Sequence, residues 1–163
     1  MKQEQGFSLI ELLIVVAIIA IIAAIAVPSM LTSRMSANEA GAIQGCRTIG
    51  SAEVAYAAVN NQLYTDIATL CDVNLGAFLD SRFDAGGTFN GYTYAAGLLG
   101  GSVPAAVATL PNGFGFEATP ASADSTGRYL YGIASDQVVR FLGSAGTAPV
   151  PQGLAAGDPI GKQ

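Results

Sequence analysis

The sequence contains no histidine and no tryptophan, and only 12% of its 163 residues are charged. Histidine is the commonest metal ligand and general base in proteins, so most hydrolytic and metal sites lack their usual side chain here. The net charge is −5, and lysines and arginines are not clustered along the chain. A surface that follows nucleic-acid phosphates is therefore not supported for a single copy, and no nucleic-acid partner is expected.

Sequence patterns of common enzyme classes are also missing. Walker, Rossmann, HExxH and GxSxG motifs do not occur, and the acidic residues are scattered. Asp124 and Asp136 lie in a region that could be tested for calcium, but their spacing does not match an EF-hand loop. We interpret these acids as solvated turn residues, and the sequence predicts no enzyme activity, no cofactor and no metal.

Cysteine is scarce, with Cys46 and Cys71 as the two examples. If this part of the chain lies outside the cytoplasm, a disulfide between them is the favoured interpretation. The bond would close a loop of about 25 residues and stabilise the fold by on the order of 3 kcal/mol in the chain-entropy model. Two buried free thiols are the alternative.

Charge is absent altogether between Glu11 and Arg34, where Ile, Leu, Val and Ala dominate. A helix over these roughly 22 residues measures about 33 Å at about 1.5 Å per residue, enough to cross a hydrocarbon core of about 30 Å. The run is too long for the apolar region of a secretory signal peptide. We therefore predict a membrane-spanning helix over residues 7–33.

Two features near the start of this helix are unusual in a simple membrane anchor. The preceding stub, residues 1–6, ends in Gly6, and Glu11 lies at the front of the apolar run. A carboxylate in a bilayer costs about 2.5 kcal/mol or more, so it indicates a functional group with a partner. Cleavage after Gly6 would place a new α-amine on Phe7, one helical turn from Glu11. The carboxylate could neutralise that amine in the same chain or in a neighbour.

A proline, Pro28, lies inside the predicted helix. It removes one backbone hydrogen bond and costs about 3 kcal/mol in a helix interior. It can be read as a tolerated kink of a transmembrane helix, or as a bend or melted stretch that fits the helix into a crowded bundle. The upstream positions include alanines rather than a glycine, so we expect a kink and not extensive melting.

The segment GFSLIELL, residues 6–13, resembles the cleavage and methylation signature of type IV prepilins and of the pseudopilins of type II secretion. The resemblance implies that residues 1–6 are a leader, that a prepilin peptidase cuts between Gly6 and Phe7, and that Phe7 is then N-methylated. Glu11 takes the place of the family glutamate that governs subunit docking, and Pro28 matches a proline that many members carry. The close match covers about residues 1–60.

Residues 34–60 keep a helical period but become polar. Apolar or small residues recur at three- and four-residue spacing at Ala42, Cys46, Ile49, Ala52, Tyr56, Val59 and Leu63. This pattern predicts one helix from Phe7 to Asn60 whose second half packs on a domain. Gly41, Gly45 and Gly50 interrupt it, which indicates either a locally weak helix or the close approach of a neighbouring helix.

The remaining residues predict a small antiparallel sheet. Residues 61–87 form a connecting loop with short helical turns at Asp66–Leu70 and Leu75–Arg82, anchored by three side chains, Tyr64, Leu70 and Phe78. Alternating aromatic residues within 88–142 predict strands at Phe89–Leu98, Gly113–Thr119, Arg128–Ala134 and Val138–Leu142. Residues 143–163, rich in Pro, Gly and Ala, predict a flexible tail.

The fold class that follows is α+β and pilin-like. A long N-terminal helix, hydrophobic in its first half and amphipathic in its second, packs on an antiparallel sheet of three to four strands. The resemblance implies a structural subunit, a pilin, of a type IV pilus that polymerises through this helix. A pseudopilin of a type II secretion system and a minor or tip pilin that binds DNA or a surface are alternatives. The presence of Glu11 favours an ordinary polymerising subunit.

The same resemblance implies the partners and the location of the protein. The partners are further copies of the chain, the prepilin peptidase, and an inner-membrane assembly platform with its ATPase. The chain would lie in the bacterial inner membrane before assembly. It would then form part of an extracellular filament or of a periplasmic pseudopilus.

Overall fold

A computed structural model describes residues 7–84, 86–97, 113–142 and 158–159. The fold is α+β and pilin-like, as predicted from the sequence. The helical elements are helix α1, Leu9–Val59, helix α2, Ile67–Cys71, and two 3₁₀ turns at Val73–Leu75 and Ser81–Phe83. The strands are β1 Thr88–Phe89, β2 Tyr92–Ala96, β3 Gly115–Pro120, β4 Leu130–Ala134, β5 Val139–Leu142 and β6 Asp158–Pro159.

The chain divides into two compact units, the first ending at Arg34 and the second beginning at Met35. In the first unit, α1 is apolar on every side, and its large side chains are exposed from Leu9 to Leu31. Helix α1 contains a stretch that is long and apolar enough to cross a membrane, by length and composition. This stretch matches the span predicted from the uncharged run.

In the second unit, the amphipathic stripe of α1 forms one side of the core. Ala42, Cys46, Ile49 and Ala52 are all buried, as the spacing predicts. The prediction is wrong for the end of the stripe, because Val59 is 69% exposed and Leu63 is 47% exposed. Val59 is the last residue of the helix, and Leu63 lies beyond its end.

The end of α1 is a tight turn close to Asn60, where the helix is predicted to end. Asn61 and Gln62 adopt the left-handed conformation, with φ of 57° and 62°. Gln62 N donates to Ala57 O at 2.9 Å, which satisfies one of the last helical carbonyls. The turn redirects the chain, so Leu63 no longer follows the helical stripe.

The helix glycines face the sheet of the same chain. A Cβ at Gly41 would lie 2.7 Å from Asn90 Nδ2, and one at Gly50 would lie 2.6 Å from Ile133 Cδ1. A Cβ at Gly45 would overlap the Tyr94 hydroxyl. The close approach expected at these positions therefore exists, but the sheet makes it and not a neighbouring helix.

The connecting segment is less helical than predicted. Helix α2 begins one residue later than expected because Asp66 is its N-cap, accepting from Thr69 N at 2.8 Å. The predicted turn over Leu75–Arg82 is wrong, since separate 3₁₀ turns flank residues 76–80. Gly76 and Ala77 have positive φ, which ends the first turn.

The predicted anchors of this segment lie in or against the core. Leu70 is fully buried. The Phe78 ring meets the Tyr56 ring of α1 edge-on at 5.5 Å between centroids. The Tyr64 ring meets Phe114, just before β3, at 5.1 Å.

The sheet is an antiparallel meander with the order β1-β2-β3-β4-β5-β6. It has six strands in the described ranges and not the predicted three to four, and one of the additional strands arises because the expected first strand is split by a hairpin turn. Asn90 and Gly91 form this turn with φ of 52° and 73°, the Asn-Gly signature of a two-residue hairpin loop.

The last strand falls within the predicted flexible tail. β6 pairs with β5 through Arg140↔Pro159 and Phe141↔Asp158. The tail prediction is therefore wrong for residues 158–159, whose backbone completes an antiparallel pair. Residues 143–157 and 160–163 lie outside the described residues.

One face of the sheet packs on α1. Its register places Phe116 opposite Ile133 and Ala118 opposite Tyr131, so these side chains share a face. Other buried residues in the same core are Ile67, Leu70, Leu79, Phe83, Tyr92, Tyr94, Phe114 and Val139. The aromatic residues on this face of the strands therefore serve core packing.

Candidate processing and assembly site

The predicted cleavage position lies immediately before helix α1. Phe7 and Ser8 precede the first helical residue, Leu9, and the Phe7 side chain is 85% exposed. Gly6 lies outside the described residues. The residue on the carboxyl side of the predicted cut is therefore non-helical and accessible.

Glu11 caps the start of its own helix. Its Oε2 accepts a hydrogen bond from Ser8 N at 2.8 Å, and Glu11 N donates to Ser8 O at 3.1 Å. Ser8 is thus the residue at the helix start, and a glutamate three residues later that returns to its N–H is one half of a capping box. A carboxylate in the first turn is also stabilised by the helix dipole.

The role of Ser8 was missed by the sequence analysis. The pattern that indicates this role is the Ser-x-x-Glu spacing from Ser8 to Glu11 at the front of an apolar run. The partner of Glu11 that the sequence suggests is the amine of Phe7 after cleavage. While residue 6 is attached, the Phe7 nitrogen is an amide and carries no charge, so Glu11 is bonded to Ser8 N–H instead.

The first turns of α1 carry an apolar groove on the side of the helix opposite Glu11. The groove has a volume of about 460 Å³, and its lining residues are Leu9, Leu12, Leu13, Val16, Ala17 and Ala20. Glu11 is exposed. A group from another molecule can therefore reach the carboxylate.

Pro28 lies within a helix that continues on both sides of it. Two hydroxyls bind backbone carbonyls in the next turn, with Thr32 Oγ1 and Ser33 Oγ each donating to Ser29 O at 2.9 Å. The residues around Pro28 are helical in the structure, so the melted alternative is not the conformation of this chain. Transmembrane helices tolerate proline in their interior.

The predicted disulfide is not formed, because Cys46 and Cys71 are both free thiols in the structure. Cys46 is buried on the α1 stripe, where desolvation raises its pKa to about 12. Cys71 is half-buried and its Sγ donates to Asp80 O at 3.3 Å. The alternative of two buried free thiols describes this arrangement better than the disulfide does, although only Cys46 is fully buried.

The aspartates considered for calcium lie in separate surroundings. Asp136 pairs with Arg140 at 2.6 Å, and this hydrogen-bonded guanidinium lowers the pKa of the carboxyl. Asp124 is exposed in a loop with φ of 58°. Within the described ranges, no group of three or more His, Cys, Asp or Glu side chains could hold a metal ion.

A second carboxylate, Glu53, was not singled out from the sequence. It is fully buried, its Oε2 accepts from Thr65 N at 3.2 Å, and its Oε1 has no hydrogen-bond partner among the residues that the structure describes. Desolvation, with a smaller contribution from Asp66, raises the pKa of Glu53 to about 7. The available signal was its position four residues after Ile49, in register with the apolar stripe.

The fold and the N-terminal site together define a pilin-like protein with a capped apolar helix. Residues 1–27 match the family described as the prokaryotic N-terminal methylation motif, which is the signature of type IV pilins and pseudopilins. No curated protein matches the chain, and no solved structure matches it. The match covers Gly6, Phe7, Glu11 and the first part of α1, and it ends one residue before Pro28.

Proposed function

We propose that the chain is the structural subunit of a type IV pilus, cut between Gly6 and Phe7 and N-methylated at Phe7. The observation that carries this proposal is the methylation motif over residues 1–27. The exposed apolar surface of α1 from Leu9 to Leu31 supports it, because such a surface needs a lipid or a protein environment. The same helix would serve as a membrane anchor before assembly and as a filament core afterwards.

Glu11 would direct the docking of one subunit on another. In the precursor its carboxylate accepts from Ser8 N, whereas cleavage creates a charged amine on Phe7. An unpaired charge in an apolar bundle is costly, and an opposite charge in hydrogen-bonding distance offsets most of that cost. An incoming amine paired with Glu11 of a neighbour would therefore fix the axial offset between subunits.

Pro28 would act within the same helix. Because proline leaves one backbone carbonyl without its helical donor, it provides a site where the packed helix can bend. Hydroxyl bonds from Thr32 and Ser33 to Ser29 O already accompany it in the structure. The proposed role is accommodation of α1 in the bundle and not a separate chemical function.

The partners of this function are copies of the same chain, a prepilin peptidase, and an inner-membrane assembly platform with an ATPase. The subunit would wait in the bacterial inner membrane and then enter an extracellular filament. A pseudopilin of type II secretion shares the same motif and the same helix, so it is the rival outcome. Its assembly would be short and periplasmic.

Two measurements on the native host test the proposal. Mass spectrometry of the purified chain should find an N-terminus at methylated Phe7, and an intact residue 1 would refute processing. Electron microscopy of material sheared from the cell surface should show filaments that contain the chain. Processing without surface filaments, together with chain retained in the periplasm, would favour the pseudopilin.

A further inference from the structure

Glu53 ties helix α1 to the connecting segment that leaves it. The residue is on α1, and its side chain accepts a hydrogen bond from Thr65 N, across the turn that ends the helix. Thr65 is followed at once by Asp66, the N-cap of α2. The Glu53 carboxyl therefore holds the point where the connecting segment begins to fold back on the helix.

The turn between Glu53 and Thr65 is conformationally unfavourable. Asn61 and Gln62 both have left-handed backbone conformations, and neither is a glycine. Such residues cost on the order of 1 kcal/mol each and persist when surrounding contacts hold them. Two backbone bonds within the turn, Gln62 N to Ala57 O and Leu63 N to Asn60 O, supply part of that support.

The surroundings of Glu53 favour the neutral carboxyl. Within the described ranges its buried Oε1 has no hydrogen-bond partner, and the bond from Thr65 N is the one that would stabilise the ionised group. In the part of the chain that the structure describes, the charged group that acts on Glu53 is Asp66, which has the same sign. Neither α1 nor the described strands contribute an opposite charge to it.

We propose that Glu53 and the backbone amide of Thr65 form a proton-dependent latch that holds the connecting segment against helix α1. The neutral carboxyl keeps the latch closed because it can stay buried at little electrostatic cost. The ionised carboxyl gains hydration when the segment lifts away, because both oxygens then reach water. Opening would begin at Thr65 and extend into α2, whose Ile67 and Leu70 are buried in the closed state.

The pH range of the latch follows from the two states of the carboxyl. Its pKa is about 7 in the closed state and near 4.5 when the group is hydrated. Between these values the open state releases the proton and the closed state keeps it, so opening becomes easier as pH rises and levels off above about 7. The opening constant should increase by about 50-fold between about pH 5 and about pH 7.5.

Hydrogen exchange of the full-length chain in detergent micelles tests the latch. Protection factors, corrected for the intrinsic pH dependence of exchange, should fall by about 50-fold for the amides of Thr65–Leu70 over that pH range. Amides of Tyr131 and Ile133 in β4 should keep their protection. A carboxyl-carbon NMR titration of Glu53 in the same sample should have its midpoint near 7.

Three variants separate the latch from general effects of pH. Glu53→Gln keeps an acceptor for Thr65 N and cannot ionise, so protection should become independent of pH. Asp66→Asn keeps a good N-cap and removes the like charge, so the midpoint of Glu53 should move to lower pH. Glu117→Gln is the control, because desolvation also raises the pKa of Glu117 but the residue lies on β3.

The outcomes are distinct from those of the pilin proposal. A Glu53 midpoint between about 4 and 5 would overturn the latch, and so would a midpoint near 7 without loss of Thr65 protection. If Glu53→Gln does not fold, the titration and the exchange data of the unmodified chain still decide. Processing at Phe7 is unaffected by any of these results, so the latch can fail while the pilin proposal stands.

Discussion

Gly45 of α1 and Tyr94 of β2 are in direct contact in the core, so that a Cβ at position 45 would overlap the Tyr94 hydroxyl. Both residues are buried, and the hydroxyl has no hydrogen-bond partner among the described residues. Burial raises the pKa of Tyr94. The helix can approach the sheet this closely because residue 45 has no side chain.

Overpacking a core usually costs about 1–3 kcal/mol, and the overlap with Tyr94 places Gly45→Ala in the upper part of that range. After the gain of about 1 kcal/mol in helix propensity, we expect the free energy of unfolding to fall by about 1–2 kcal/mol. Urea unfolding of the full chain in detergent, followed by circular dichroism, measures the difference. Ser51→Ala, on the exposed side of the same helix, should change stability by less than about 0.5 kcal/mol. An alanine at 45 that leaves stability unchanged would contradict the contact.

Glu11 offers a way to separate charge from capping. Glu11→Ala removes both, whereas Glu11→Gln keeps an acceptor for Ser8 N and removes only the charge. If the carboxylate pairs with a neighbouring amine, both variants should be processed normally and should lose filament yield by about tenfold or more, since breaking a buried pair costs about 3–5 kcal/mol. Quantifying sheared filaments and the N-terminus of the chain gives both readouts.

The control for this series is Asp124→Asn, which removes one carboxylate from an exposed loop. It should assemble like the unmodified chain. Normal filament yield from Glu11→Gln would contradict charge pairing. Capping of the N-terminus of α1 would then be the function of Glu11.

Gly6 should be required for cleavage. We expect Gly6→Ala, or a bulkier residue at this position, to block removal of residues 1–6, because the peptidase must bring its active site close to the backbone there. The precursor would then accumulate at its full mass in the membrane fraction. Gln5→Ala, one residue earlier, is the matched control and should be processed. Efficient cleavage of the Gly6 variants would argue against a cut at this bond.

The two cysteines should behave as free thiols of unequal reactivity. Alkylation of the native chain without reductant should label Cys71, which is half-buried. It should leave Cys46 unmodified, because this thiol is buried and its pKa is raised to about 12. Unfolding in denaturant should expose the second thiol to the reagent. Peptide mass spectrometry distinguishes these species, and a Cys46–Cys71 crosslinked peptide in freshly purified protein would contradict the free thiols.

Glu53 should also make the overall stability of the second unit depend on pH. Its folded-state pKa is raised to about 7 from an ordinary value of 4.5, so the folded chain holds a proton that the unfolded chain releases. Stability is therefore greatest below about pH 4.5 with respect to this group and falls by about 3 kcal/mol as pH rises to about 7.

Urea midpoints measured across this pH range test that dependence. Glu53→Gln should remove the decline, whereas Glu39→Gln should retain it. A decline of equal size in the Glu53 variant would assign the effect to other groups.

Much of the fold could be predicted because its signals are local. The uncharged run from Leu12 to Ser33 and the three- and four-residue spacing up to Ala52 depend only on neighbouring residues, and they gave the helix close to its observed limits. The Asn90-Gly91 turn was equally local but was overlooked. It would have divided the first predicted strand and raised the strand count.

The sequence by itself determined the apolar span, the methylation motif and the alternation of the strands, because each is a pattern along the chain. Only the tertiary structure decided what the glycines of α1 face, that Glu53 is buried against Thr65, and that the two cysteines are unpaired. These features depend on which side chains meet across the helix–sheet interface and across the turn after α1. Such contacts are determined by the distances between packed elements. The spacing of residues along one element does not specify those distances.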